Sequence, residues 1–310
     1  TGQAASPVYI FISDEMVGQA SSLSPTGRQD ACPTVKVRDA AHLWGKSASA
    51  TESTVREELR DAAVRVAAVG QAGENRVRFA TISNEGRHAG RGGVGAVMGA
   101  KNLKAIALRG HGRVQVADPH GVEIIAEGLR HKSLGTLTAK YREIGTVANL
   151  AVFNRLGALP TRNFQQSTFE HAEALSGESL LTHLFSRVHG CASCTIRCER
   201  LFTSLNGEEQ RLEYETLFAL GPLCGIESRE VVLQAAQLCD RYGLDTISTG
   251  GTIAWAMECA EKGLLPAARD CGLRFGNADA LLATIPQIAS RSGVGALVKV
   301  SPEIVSVAGR

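Results

Sequence analysis

Three cysteines, Cys191, Cys194 and Cys198, fall within the eight residues "CASCTIRC". A C-x2-C pair can hold a tetrahedral zinc or two corners of a cluster, and a third cysteine after three more residues suits the tight looping that a [4Fe-4S] cube demands. Zinc is an alternative, since His189 in "HGCASC" would complete a Cys3His set. Three thiols that hold no metal are another. Arg187, Arg197 and Arg200 flank the run and would offset the negative charge of thiolate-bound iron. A fourth ligand is not contiguous with it.

Two acids, Glu213 and Glu215, stand just before an apolar helical run in "EYETLFALGPLCGI". A carboxylate beside a buried site can have its pKa raised and serve in proton transfer, or it can simply complement a helix dipole from the first turn. In "CDRYGLDTISTGG" a helix should end at Gly243, whose tolerance of positive φ suits a C-terminal cap. A new helix should begin just past Asp245, a good N-cap residue. Asp240 and Asp245 then flank one tight turn. They are either plain caps or, with the free N–H groups of the following helix, a grip for a polar heterocycle.

The stretch "HAGRGGVGAVMGAKNLKAIAL", residues 88–108, has a loose dinucleotide-type glycine spacing. It lacks the full G-x-G-x-x-G pattern and the acid some twenty residues on, so a Rossmann site fits poorly. What remains is a glycine-rich loop after the strand "RVRFATIS". Arg87, His88 and Arg91 lie at its mouth, and Lys101 and Lys104 close behind. Such a loop suits phosphate or a planar heterocycle, or is a tight turn with surface arginines.

The elements that must position these residues change character near residue 115. Before it, period-two alternation marks strands at "VYIFIS", "VKVRD", "RVAAVG", "RVRFATIS" and "KAIAL", with one helix at "ESTVREELRDAAV". After it, "PHGVEIIAEGLRHK", "TVANLAVFNRLG", "GESLLTHLFSRV", "SREVVLQAAQLCDRYG", "DTISTGGTIAWAMECAEKG" and "ADALLATIPQIASRS" carry helical spacing. The expected fold class is α+β with segregated halves, a β-rich domain over 1–114 and a mostly helical one over 115–310. The chain opens almost directly on an edge-like strand and closes without a capped element, as a piece of a longer protein or one subunit of a split one would.

With 310 residues, 44% of them hydrophobic, the chain can bury a sizeable core. Its 33 basic and 31 acidic residues are spread evenly, so no charge block points to nucleic acid or a membrane surface. No apolar run reaches the roughly 18 residues that span a bilayer, and no signal peptide is evident, so the expectation is a cytoplasmic protein. Reduced thiols fit that setting, and Cys32, Cys224, Cys239, Cys259 and Cys271 are expected to be buried.

Taken in order, "GRGGVGAVMGAKNLKAIAL", "CASCTIRC", "EYETLFALG" and "CDRYGLDTISTGGTIAWAME" resemble the tungsten-containing aldehyde:ferredoxin oxidoreductases. "PVYIFISDE", "AAHLWGK" and "AGENRVRFATI" extend the resemblance to nearly the whole chain up to about residue 290. It implies an N-terminal β-rich domain that cradles a bis-pterin tungsten (or molybdenum) cofactor, with helical domains lining the other side and a [4Fe-4S] cluster beside one pterin. The cluster ligands fall on Cys191, Cys194 and Cys198. The pterin-contacting loop falls on Arg87, His88, Gly90 and Arg91, and the D-x-x-G-L-D motif on Asp240, Gly243, Leu244 and Asp245. Glu215 matches the acid near the metal. The implied reaction oxidises an aldehyde to a carboxylate, with Glu215 accepting a proton and electrons leaving through the cluster to a ferredoxin.

The resemblance also implies missing flanks. The family begins upstream of Thr1, with residues for the second pterin and a magnesium ion that bridges the pterin phosphates. It continues beyond Arg310, into a domain with the fourth cluster cysteine. The chain is therefore expected to be incomplete alone, and to work with a second chain that supplies those domains or as a homodimer. Where some members share an iron between subunits through a Glu and a His, this chain has Gln234 and Leu282. A module of another class, binding iron–sulfur or zinc without catalysis, is the alternative reading.

Overall fold

The computed structural model describes residues 3–14, 34–112 and 114–297. The chain forms two compact units, Thr1–Gln115 with Arg241–Leu244, and Val116–Asp240 with Asp245–Arg310. The fold is α+β.

The first unit is built on strands β1 (Val8–Ser13), β2 (Thr34–Asp39), β3 (Arg65–Val69), β4 (Ile82–Asn84), β5 (Arg87–Ala89) and β6 (Leu103–Arg109). Helices α1 (Ala48–Leu59), α2 (Gln71–Glu74) and α3 (Val94–Ala100) join them. The sheet order is β2-β1-β6-β3-β4-β5. Strand β1 is parallel to β6 and every other pairing is antiparallel. The opening strand is thus internal rather than an edge. β2 takes the edge, which explains why its Val35 and Val37 are exposed. The core under this sheet is Tyr9, Leu43, Val55, Val64, Val66 and the small residues Ala68, Ala105 and Ala107. Ser47 caps α1 by accepting the Ala50 N–H, which satisfies one of the helix's orphan donors.

"RVRFATIS" is not one strand. Residues 75–79 are mostly turn, with Arg76 at positive φ, Ala80 makes only an isolated bridge to Leu244, and the strand itself begins at Ile82. Lys104, expected behind the loop mouth, is instead fully buried. Its Nζ donates to the Lys46 and Val69 carbonyls at 2.7 and 2.8 Å and pairs with Glu74 at 2.5 Å. The cation is therefore fully satisfied inside the unit, where burial lowers its pKa.

The second unit contains α4 (Pro119–Ser133), α5 (Ala139–Glu143), α6 (Asn149–Arg155) and α7 (Gly177–Leu184). Strands β7 (Phe185–His189), β8 (Glu199–Thr203) and β9 (Glu209–Leu212) follow. The unit closes with α8 (Tyr214–Leu220), α9 (Arg229–Tyr242), α10 (Thr246–Glu261), α11 (Pro266–Asp270), α12 (Ala278–Ser290) and α13 (Gly293–Leu297). The small sheet β7-β8-β9 is antiparallel throughout and lies in the half expected to be helical. The helical spacing of "GESLLTHLFSRV" holds only to Leu184, and Phe185 turns extended into β7. Leu217, Leu220, Val232, Ala236, Ile253 and Met257 form the centre of the unit. Helices α8 and α10 approach closely because a Cβ at Gly250 would overlap the Ala219 carbonyl.

Of the scattered cysteines, Cys224 and Cys239 are buried, Cys259 is half-buried and Cys271 is exposed beside a turn. Cys32 lies outside the described residues. No helix among the described residues is long and apolar enough to cross a membrane.

Candidate functional site

The three clustered cysteines occupy the loop between β7 and β8, and the register pair His189 and Glu199 closes its neck. His189 Nδ1 and Glu199 Oε2 are 2.6 Å apart, and Arg211 lies 3.6 Å from the other Glu199 oxygen. That contact engages one ring nitrogen of the residue offered as a fourth zinc ligand. Positive φ at Ser193 and Arg197 winds the loop, and the Cys194 N–H donates to the Cys191 carbonyl at 3.0 Å. Cys191 is exposed, while Cys194 and Cys198 are half-buried.

Backbone N–H groups of Arg197 and Ile196 aim at Cys194 and lower its thiol pKa. Burial raises that of Cys198, with Glu213 and the two neighbouring cysteines adding to the effect. Among the described residues, no three His, Cys, Asp or Glu side chains stand close enough together to hold a metal ion. The loop carries its three thiols without gathering them into a coordination shell. Its donor chemistry, three thiols with backbone N–H groups turned toward Cys194, suits a zinc ion or three corners of an iron–sulfur cluster.

Glu213 and Glu215 flank the start of α8, directly after β9. The Tyr214 N–H donates to Thr146 Oγ1 at 3.2 Å, which fixes where the helix begins. Tyr214 stacks between Phe153 and Phe218, with ring centroids 5.0 and 5.3 Å away. Burial, and secondarily the charge of Glu215, pushes its phenol up to about 12. Glu215 itself is exposed in the first turn, the position a helix dipole favours for an acid. Thr216 Oγ1 and Thr246 Oγ1 are 2.9 Å apart and tie the first turns of α8 and α10 together.

Helix α9 runs to Tyr242, Gly243 follows at φ +75°, and Asp245 caps α10. The Asp245 carboxylate accepts from the Ser248 N–H at 2.9 Å and from its hydroxyl at 2.6 Å. Asp240 accepts from Gln210 Nε2 on β9 at 2.7 Å. Gln210 was not singled out from sequence; a glutamine within a short polar strand gives no sign that it meets a residue thirty positions later. Gly243 and Leu244 sit in the first unit, where the Gly243 carbonyl accepts from the Thr81 N–H at 2.9 Å and Leu244 bridges Ala80.

In that first unit, β5 presents Arg87 and His88 half-buried. His88 Nδ1 is 2.7 Å from Ser83 Oγ across the β4–β5 pair. Gly90 is half-buried and Arg91 exposed on the turn that follows. The glycines after it serve packing rather than ligand approach. A Cβ at Gly93 or Gly95 would strike the carbonyl of Arg78 or Thr81, and one at Gly99 that of Gly73. They allow α3 to lie directly on the backbone of α2 and of residues 78–81. Gly92, at φ +92° with open space around it, is free of such contacts.

Comparison with known proteins shows which family the chain is similar to. The family model "Aldehyde ferredoxin oxidoreductase, N-terminal domain" matches residues 1–110, and "Aldehyde ferredoxin oxidoreductase, domains 2 & 3" matches residues 126–299. A tungsten-containing aldehyde ferredoxin oxidoreductase of Pyrococcus abyssi is 42% identical over 95% of this chain and 47% of its own length. The WOR-like subunit of an aliphatic sulfonate oxidoreductase of Pyrococcus furiosus is 28% identical over the same shares. A solved active-site complex BamBC of benzoyl-coenzyme A reductase, holding 1,5-dienoyl-CoA, contains a chain that superposes with a TM-score of 0.76. That chain is 26% identical, and the match covers 96% of this chain and 45% of that one. The chain spans about half the length of the curated relatives it matches. With both family models together covering most of its residues, the chain belongs to the aldehyde ferredoxin oxidoreductase family.

Proposed function

We propose that this chain is the cofactor-binding portion of an enzyme that oxidises aldehydes to carboxylates and passes the electrons to a ferredoxin. One observation carries the reading. Within a single unit, the thiol loop, the acid-bearing start of α8 and the capped start of α10 are joined through β8, β9 and the Thr216–Thr246 contact. Identity of 40–42% to tungsten-containing aldehyde ferredoxin oxidoreductases, against 26% to the benzoyl-CoA reductase chain, supports aldehydes as the substrate class.

In this reading residues 1–114 are the C-terminal part of the β-rich cofactor domain and 115–310 the helical domain. The cofactor is a tungsten (or molybdenum) bis-pterin with magnesium at its phosphates; Arg87, His88, Gly90 and Arg91 form one pterin-contacting loop, and Asp240, Gly243, Leu244 and Asp245 form a pterin motif. The half-buried arginine and histidine of β5 suit an anionic, heteroaromatic group, and the acids suit the ring N–H donors of a pterin. Cys191, Cys194 and Cys198 hold three corners of a [4Fe-4S] cluster, and the fourth ligand comes from elsewhere. When bound, the metal centre supplies the two-electron redox chemistry.

The protein's own part is positional. Glu215, at the first turn of α8, accepts the proton released as the aldehyde C–H bond breaks. Tyr214, held neutral by burial and fixed by Phe153 and Phe218, walls the acid on its apolar side. Partners for the remaining functions are a second chain or a second copy of this one.

The test is production under anaerobic, tungstate-supplied conditions, alone and with a chain supplying the other half of a relative's length. Tungsten or molybdenum, pterin and iron should co-purify, and the loaded protein should reduce ferredoxin on addition of aldehyde. A complete complex without pterin or either metal would sink the proposal. An isolated chain that takes up zinc stoichiometrically would favour the non-catalytic module.

A further inference from the structure

The three arginines around the thiol loop do not share one environment. Arg187 is exposed, and its guanidinium pairs with Glu209 at 2.8 Å; Arg197 is exposed on the loop itself. Arg200 is 1% exposed, the largest fully buried side chain among the described residues. Its Nη1 donates to the carbonyl oxygens of Arg197 and Glu199 at 2.9 and 3.0 Å, and its Nη2 donates to that of Arg142. Among the described residues no carboxylate pairs with it, and its Nε is buried without an acceptor. The neighbouring acid, Glu199, points to the other face of β8, where His189 and Arg211 hold it.

A buried cation satisfied only by carbonyl dipoles carries a desolvation cost that a nearby anion would offset. The anion-forming group beside Arg200 is Cys198, two residues earlier. The two pack against the same spot of the chain. A Cβ on Gly145, at φ +87°, would lie 2.6 Å from the Cys198 carbonyl oxygen and 2.9 Å from Arg200 Cγ.

We propose that Arg200 is a positioning residue of the thiol loop whose buried charge is the built-in counter-ion of thiolate-ligated iron, favouring the reduced, more negative cluster. The inference rests on the iron–sulfur reading above. In the redox step one electron enters the cluster, supplied by dithionite in the test and by aldehyde oxidation in the enzyme. No bond forms or breaks, and the charge falls by one unit. Arg200 lies where that added charge is felt through a low-dielectric interior rather than through water.

The test compares the wild-type chain with Arg200→Met and Arg200→Lys, all purified anaerobically. Iron and acid-labile sulfide are counted per chain, and the midpoint potential of the reduced-cluster EPR signal is read in a dithionite titration. The expected result is a more negative potential in Arg200→Met and a return toward the wild-type value in Arg200→Lys, which keeps the charge. A loaded Met variant at the wild-type potential overturns the inference and leaves the iron–sulfur reading standing, as does a Lys variant shifted as far as the Met variant. If the Met variant does not fold, the Lys variant decides: an unshifted potential supports the inference and a negative shift overturns it. A wild-type chain that takes up no iron overturns both.

Discussion

Gly70 and Gly243 meet backbone to backbone: a Cβ on Gly70 would lie 2.5 Å from the Tyr242 carbonyl oxygen, and one on Gly243 would lie 3.0 Å from the Gly70 amide nitrogen. This contact lets residues 241–244 join the first unit, with the Thr81–Gly243 hydrogen bond beside it. Gly70→Ala forces a methyl group into a carbonyl that cannot rotate away. It should cost on the order of 1–3 kcal/mol, as overpacking does. Gly112→Ala is the control, because Gly112, like Gly70, does not have positive φ, and a Cβ there meets open space. Equal unfolding midpoints in denaturant for Gly70→Ala and wild type would show that the close approach does not hold the segment.

The thiols should differ in reactivity before any metal is added. Backbone N–H groups lower the Cys194 pKa, so it should alkylate fastest within the loop at mildly acidic pH, where thiolate is scarce. Cys198, raised by burial and by Glu213, should lag. Cys224 and Cys239, fully buried with thiols pushed far up, should react only after unfolding. Mass spectrometry of the chain after timed iodoacetamide treatment reads the order. Cys198 reacting ahead of Cys194 would contradict the loop geometry.

Gln210→Leu removes the amide that donates to Asp240. A hydrogen bond to a charged group is worth roughly 1.5–3 kcal/mol, so the variant should lose about that much stability in denaturant unfolding. Because β9 also runs directly into Glu213, pterin content in the loaded protein should fall together with stability. Full pterin content in a destabilised variant would show that Asp240 does not depend on Gln210 for binding.

Glu52 gives a pH signature in the first unit. It is buried, and desolvation raises its pKa although its carboxylate accepts the Glu85 N–H at 2.9 Å. The folded state thus binds this proton more tightly than the unfolded chain does. The stability that goes with the proton is present below the unfolded carboxylate pKa and is lost as pH rises through the folded value. Glu52→Gln keeps an oxygen for Glu85 and removes the titration. The stability of the variant relative to wild type should therefore climb with pH across the weakly acidic range. A flat difference between the two unfolding curves would assign Glu52 an ordinary pKa.

Where local chemistry decides, the sequence is a good guide. Asp245 caps α10 and Gly243 takes positive φ because both outcomes depend on a few adjacent residues. The β-branched alternation of "VYIFIS" and "KAIAL" predicts strands for the same reason, and both form. β7 is hidden because "LFSRV" continues the helical spacing of α7, and only its pairing with β8 makes it a strand. Gln210 is invisible from sequence in its eventual role, which depends on a partner thirty residues on, and although Arg200 is legible as one of three flanking cations, its burial against residues 142 and 145 is not. The glycines of "GRGGVGAVMG" show the same limit, as their spacing alone does not tell a carbonyl of the same chain from a ligand.

Glu215 separates chemistry from stability most cleanly. It is exposed in the first turn of α8, so Glu215→Gln removes a charge near the positive end of a helix dipole and little else. The stability change should stay within about 1 kcal/mol. As the proposed proton acceptor, however, Glu215 supplies the group a C–H cleavage needs, and its loss should lower kcat by about 10²–10⁴. The measurement is aldehyde-dependent reduction of a viologen dye by loaded enzyme. Tungsten, pterin and iron are counted in the same samples, so that lost cofactor is not read as lost catalysis. Wild-type kcat in a fully loaded Glu215→Gln enzyme would remove Glu215 from the proton transfer and move the search to Glu213, across Tyr214 at the same helix start.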